Sequence, residues 1–174
     1  MKWYAISGSW KTVNKKLEDD VTKRVKKIIL LGGGIITGGA LGVDYIATNI
    51  VLSIGKPEKQ LKVFLPIKLD NFCKHYFKRA EEGIITVEQA RMITSQLKKI
   101  AKAFPDCIFD NSESKEANEK SYYARNTKII QSCDELYAFQ VNNSQGTQDA
   151  INKAKQASKP IHIKKYYLKT GQRP

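Results

Sequence analysis

The sequence predicts an α/β fold: a three-layer sandwich with helices on both faces of a mainly parallel sheet, and a helical insertion. Three observations predict it. Short apolar runs of strand character alternate with longer segments whose apolar residues recur at helical spacing, the β-α-β-α-β rhythm of a parallel sheet. Strand passes into helix through turns of small residues at three places, Gly8-Ser9, Gly38-Gly39-Ala40-Leu41-Gly42 and Ser144-Gln145-Gly146-Thr147. The 174 residues suffice for one well-buried domain and are few for two, so 1–174 reads as a single domain.

Taken in order, Trp3 to Ser7 reads as a first strand that ends at Gly8-Ser9. A polar loop then leads to Leu17, Val21, Val25, Ile28 and Ile29 at helical spacing. A short buried strand precedes the run Gly32 to Asp44, and Val43, Ile46, Ala47, Ile50, Val51 and Ile54 continue it as a helix. Gly55-Lys56-Pro57 breaks that helix, and Leu61 to Ile67 supply a third strand. About 70–120 departs from the rhythm as the helical insertion. It holds two helices, the second opened by a capping box at Thr86 and Gln89 and carrying Val87, Ala90, Ile93, Leu97, Ile100 and Ala101 on one side. His75, Tyr76, Lys78 and Arg79 on the first of these read as surface or packing residues. Cys107 to Asp110 is a short strand, and the polar stretch Asn111 to Lys120 reads as a loop over the crevice. A helix from Ser121, a strand from Glu135 to Val141, a helix with Ala150, Ile151, Ala154 and Ala157 inward, and a last strand Pro160 to Ile163 follow. Residues 166–174 read as a basic tail.

The net charge is +13, and its distribution says more than its size. Residues 1–27 carry eight Lys/Arg against three acids, and residues 153–174 carry seven with none, which leaves 28–152 near neutrality. Such ends suit a polyanion, nucleic acid first, or equally a solubilising surface. No run approaches a membrane span and no signal-peptide core precedes the first lysines, so the expected setting is cytoplasmic, with no membrane partner. Three widely spaced cysteines without a C-x-x-C pair support neither a disulfide framework nor a zinc site, and read as small core residues.

The glycine-rich turn after the second strand is the most informative stretch. Gly38, Gly39 and Gly42 permit positive φ and close backbone approach, and the free amides of a helix's first turn favour an anion. The same residues also suit a tight βα turn that binds nothing. Three such turns at the C-terminal ends of parallel strands converge where a ligand sits in an open α/β sheet. Trp10 and Lys11 stand at the mouth of that crevice. Arg125 could fork onto a phosphate, with Asn126 bonding a neighbouring loop. The glycine spacing is neither G-x-G-x-x-G after the first strand nor G-x-x-x-x-G-K-[ST], which sets aside NAD enzymes and P-loop ATPases.

Thr37-Gly38-Gly39-Ala40-Leu41-Gly42-Val43-Asp44-Tyr45-Ile46-Ala47 resembles the S-G-x-A-x-G-[IV]-D-x-x-A signature of the DNA-processing protein A (DprA/Smf) family, within the SLOG superfamily of Rossmann-like nucleotide binders. Ala5-Ile6-Ser7-Gly8-Ser9 is similar to that family's first-strand segment, Arg125-Asn126-Thr127-Lys128-Ile129-Ile130 to its R-N-R-x-I-x helix start, and Ser144-Gln145-Gly146-Thr147 to the turn that follows. The resemblance implies a Rossmann-like domain, a basic pocket for single-stranded DNA, a homodimer, and help in loading a RecA-type recombinase during DNA recombination. Trp10 stands where the family usually has arginine, with Lys11 next. The candidate site is then Gly8, Ser9, Lys11, Gly38, Gly39, Ala40, Gly42, Asp44, Arg125, Asn126, Ser144, Gly146 and Thr147, with no catalytic residue, metal or cofactor. Relatives of the LOG type offer an alternative, since Gly146-Thr147 resembles part of their P-G-G-x-G-T-x-x-E motif. They cleave nucleotide N-glycosidic bonds. Here Ala150 holds the glutamate position, so the general acid or base of such a phosphoribohydrolase is missing, and Asp44 reads more simply as a cap or dipole partner. A sensor of a signalling nucleotide would use the same pocket.

Overall fold

The structure, a computed structural model, describes residues 1–168. Six strands form one sheet, all pairs parallel, in the order β4-β3-β2-β1-β5-β6: β1 Trp3–Gly8, β2 Gly34–Thr37, β3 Leu61–Phe64, β4 Ile108–Phe109, β5 Glu135–Val141 and β6 Ile161–Tyr166. Strands of isoleucine, valine and alanine with both faces covered are what a buried parallel sheet requires. All of β2 is buried.

Helices α1 Lys15–Leu30 and α2 Val43–Ile54 pack together on one face, over Ile6 and Ile35. The Asn14 side chain caps α1 by accepting from the Leu17 amide at 2.9 Å, and Leu17, Val21, Val25, Ile28 and Ile29 are all buried as their spacing predicts. In α2 Val43, Ala47, Ile50 and Val51 of the apolar stripe are buried and Ile46 is half-buried, while Ile54 ends the helix exposed beside the Gly55 cap. After the short α3 Pro57–Gln60, the predicted insertion is α4 Leu69–Glu81 and α5 Val87–Ala103; Ala90, Ile93, Leu97 and Ile100 of the α5 stripe join the same core, whereas Val87 at the helix start is exposed and Ala101 half-buried. The capping box of α5 is present, Thr86 accepting from the Gln89 amide at 3.1 Å and Gln89 from the Thr86 amide at 2.9 Å. Helices α6 Glu119–Ser132 and α7 Gln145–Gln156 cover the other face, over Ala5, Ile36, Leu136 and Ala138. All three cysteines are free and buried.

Several boundaries differ from the sequence expectation, among them the predicted strand Cys107 to Asp110, which is only Ile108–Phe109. The third strand stops at Phe64, because Leu65-Pro66-Ile67 turns away towards α4, and α6 begins at Glu119, capped by Asn118, so the polar loop ends earlier. β6 continues to Tyr166 because Lys164 ion-pairs with Asp20 on α1 and the Tyr166 hydroxyl donates to the same carboxylate at 2.8 Å. The start of the predicted basic tail is therefore strand, and 169–174 lie outside the described residues. Among the described residues no helix is long and apolar enough to cross a membrane.

Candidate functional site

The connections after β1 and β5 diverge to opposite faces of the sheet, so the C-terminal ends of these neighbouring strands open a crevice at the topological switch point. The three turns predicted from sequence meet there. The carbonyl of Ser9, after β1, accepts from the Val43 amide at 3.0 Å, which ties the first turn to the start of α2. Arg125 on α6 donates from Nη1 to the Gly38 carbonyl at 2.5 Å, and Asn126 donates to the Gly146 carbonyl at 3.2 Å and to Asp149 at 2.9 Å. One turn of α6 thus clamps two loops that are far apart in sequence.

The glycine turn takes its shape from within. The Asp44 carboxylate accepts from the Gly38 amide at 2.9 Å and the Ala40 amide at 3.3 Å, and the Tyr76 hydroxyl accepts from the Leu41 amide at 3.3 Å. Donors that the sequence offered to an anion are directed at these two side chains, while the Gly39 and Gly42 amides have no partner among the described residues. Gly39 and Gly42 do have positive φ, 63° and 69°. Gly38 does not. Its missing side chain makes room for the Arg125 guanidinium, which a Cβ there would overlap.

Arg125 and Asp44 form the charged centre, with Nη1 3.8 Å from Oδ2 and both side chains about nine-tenths buried. The guanidinium lies 5.5 Å from the Tyr122 ring, and Arg125 Nε is buried without a hydrogen-bond partner. Burial pushes the Asp44 carboxyl up to about 6, against the lowering influence of Arg125 and the two amides. A carboxyl held above its unfolded value binds its proton more tightly in the folded chain, so its contribution to stability falls as pH rises from about 4 to about 6. Asp44→Asn, which keeps an acceptor for the two amides, is expected to remove that dependence. Thermal unfolding at both ends of the window should therefore favour the wild type over the variant more at low pH than at neutrality, and a constant gap would assign the pH response elsewhere.

On the β5 side, Asn142 and Asn143 both have left-handed backbones, φ 45° and 54°, the conformation that asparagine tolerates best after glycine. Ser144 donates to Thr147 Oγ1 at 2.8 Å, which leaves the Thr147 proton available. The Ser9 hydroxyl accepts from the Thr12 amide at 3.0 Å and keeps its own proton. Trp10 and Lys11 are exposed. Gly8 is crowded by Val43 and the Phe139 carbonyl, so its role is close packing of α2 on the sheet. Sequence reasoning missed Tyr76 as a member of the site. Its position on the stripe of α4 offered only a packing signal. Among the described residues no three metal-binding side chains come together.

This all-parallel fold recurs in solved structures. The chain has the fold of DNA processing protein A. It matches that protein from Helicobacter pylori, in a structure described for its single-stranded DNA binding mode, with a TM-score of 0.66 and 20% identity over 93% of this chain and 64% of that one. The Streptococcus pneumoniae protein gives a TM-score of 0.52 and 14% identity, over 92% of this chain and 58% of that one. A molybdenum cofactor binding protein from Rippkaea orientalis gives 0.62 and 17%, over 95% and 77%. The chain thus spans less than two thirds of the length of either DNA processing protein A chain. No protein-family model matches it, and no curated protein matches it in sequence.

Proposed function

We propose that the chain binds single-stranded nucleic acid by its phosphates, in the crevice between the ends of β1 and β5. The observation that carries this reading is Gly146. Among the described glycines it alone has neither a positive φ nor a neighbour within 4 Å of where a Cβ would stand, and it lies in the first turn of α7, where alanine would be the better helix former. Nothing among the described residues requires a glycine there. Close approach of a ligand to the α7 amides does.

In this reading Gly146, Thr147, Ser144 and Ser9 offer amide and hydroxyl donors, and Gly39 and Gly42 offer the uncommitted amides of the second turn. Gly8, Gly38, Ala40, Asp44 and Asn126 hold the turns in shape. Arg125, whose side chain keeps about a tenth of its surface exposed, supplies the central positive charge, and Lys11 with Trp10 meets the strand at the mouth. The basic ends of the chain add attraction. A homodimer and a RecA-type recombinase partner in DNA recombination extend the reading. The Rippkaea neighbour, a cofactor binding protein, supports a second one, a small ligand such as a nucleotide in the same crevice. Cleavage of an N-glycosidic bond is disfavoured, since Ala150 is buried at the position of the required carboxylate and Asp149 beside it is held by Asn126 and Lys153.

Fluorescence-anisotropy titration of labelled single- and double-stranded oligonucleotides at two salt concentrations tests this, with nucleoside monophosphates as competitors. For three phosphates contacted, single-strand affinity should fall about hundredfold for a tenfold rise in salt. A response flat in salt would sink the proposal. Failure to bind either strand, with a monophosphate bound, would favour the small ligand.

A further inference from the structure

The opposite edge of the sheet, where the strands begin, carries a second concave site made of residues the crevice does not use. A cleft of about 560 Å³ opens between the C-terminal turn of α1 and the starts of β1, β5 and β6. Three rings from these strands line it. Tyr4 and Tyr137 have centroids 6.0 Å apart, and Tyr137 and His162 stack at 4.3 Å, within 11° of parallel. Cations stand among the rings: Arg24 of α1 lies 4.6 Å from the Tyr137 centroid and Lys2 5.8 Å from that of Tyr4. Lys27 also lines the cleft and makes no ion pair among the described residues. The acid present, Glu135, is already ion-paired with Lys2 and hydrogen-bonded to His162 at 3.1 Å. Gly32 and Gly33 keep the rim free of side chains, since a Cβ on Gly33 would run into the Tyr4 ring.

We propose that this cleft binds a nucleotide unit, with the base laid on the aromatic row and the phosphate met by Lys27 and Arg24. Flat rings alone would suit any apolar plate, and lysines alone any anion. Rings interleaved with cations recognise a planar heterocycle that carries a phosphate. The cleft is separated from the crevice by the length of β1, about 17 Å at ~3.3 Å per residue, so one mononucleotide cannot fill both. The unit is either a free mononucleotide or one residue of a longer strand, and the two sources are separable by experiment. The inference stands on its own geometry and does not depend on the crevice binding DNA.

Calorimetric titration of adenosine monophosphate and of an oligothymidylate into the full chain tests it. The variants compared are His162→Ala/Lys27→Glu in the cleft, Lys26→Glu as a neighbouring charge control on α1, and Lys11→Glu at the crevice. Both cleft side chains are exposed, so the fold tolerates their change, and a thermal melt checks that it does. A tenfold or greater loss of monophosphate affinity in the cleft variant, absent from both single-charge variants, is the expected result and identifies a free nucleotide. The same loss for the oligonucleotide alone identifies a strand residue and equally supports the cleft. If the cleft variant weakens neither ligand beyond the Lys26→Glu control, the proposal is overturned, whatever Lys11→Glu does to the crevice.

Discussion

Arg125→Ala is expected to cost about 3 kcal/mol of stability, the low end of what removing one partner of a buried ion pair costs. The unfolding midpoint should fall by about 6–12 °C for a chain of this size. The change leaves the Asp44 carboxylate buried without its cation and removes the donor from the Gly38 carbonyl. Two amides still serve Asp44, which keeps the cost at the low end. Because the Asp44 carboxyl is already pushed up to about 6, the variant can shed its unpaired charge by taking a proton. The loss should therefore be larger at pH 8 than at pH 5, and calorimetry at the two values checks the sign. Arg125→Lys keeps the charge without the fork and should recover part of the stability. If the crevice binds a strand as proposed, Arg125→Ala also weakens binding tenfold or more and lowers the salt slope by about 0.7, one phosphate's share. An unchanged midpoint would mean that the Arg125-Asp44 pair holds nothing together. An unchanged affinity in a folded variant would remove Arg125 from the binding surface.

The fold was legible because its signals are local. The stripe of α1 and the capping box at Thr86 are set by spacing within a few residues, and both are in place. The glycine turn was legible as a turn, but the destination of its donors was not. Asp44 was expected to serve the helix as a cap or dipole partner. Instead it reaches back six residues to the Gly38 amide and so shapes the turn before any ligand arrives. Tyr76 does the same from 35 residues away, and Arg125 meets Gly38 across 87. Contacts at such separations leave no periodicity in a sequence, and a buried arginine looks like an exposed one. β6 was underestimated for a related reason. Tyr166, read as the start of a basic tail, is strand because Asp20, on a distant helix, gives Lys164 and Tyr166 a partner.

Gly42→Ala and Gly146→Ala are expected to move stability in opposite directions. Gly42 sits at φ 69°, ψ −125°, outside the small left-handed region that a side chain can enter. A Cβ there would overlap the Ser9 carbonyl oxygen and come within 3.1 Å of the Trp10 carbonyl carbon. Backbone strain of this kind costs of order 1–3 kcal/mol. Here the overlap also pushes apart the two turns that the Ser9-to-Val43 hydrogen bond joins, so a loss of about 3 kcal/mol is expected, with crevice binding lost alongside. Gly146 has ordinary φ and open space, inside a helix, so its replacement by alanine should stabilise the fold by about 0.5–1 kcal/mol. A chain that forgoes that gain has a use for the empty space. If Gly146→Ala raises the unfolding midpoint and weakens oligonucleotide binding, the missing methyl serves the ligand, whereas Gly42 serves the fold. A variant that is more stable and binds equally well would leave Gly146 without a role in the crevice, and the case for phosphate approach at α7 would fall with it.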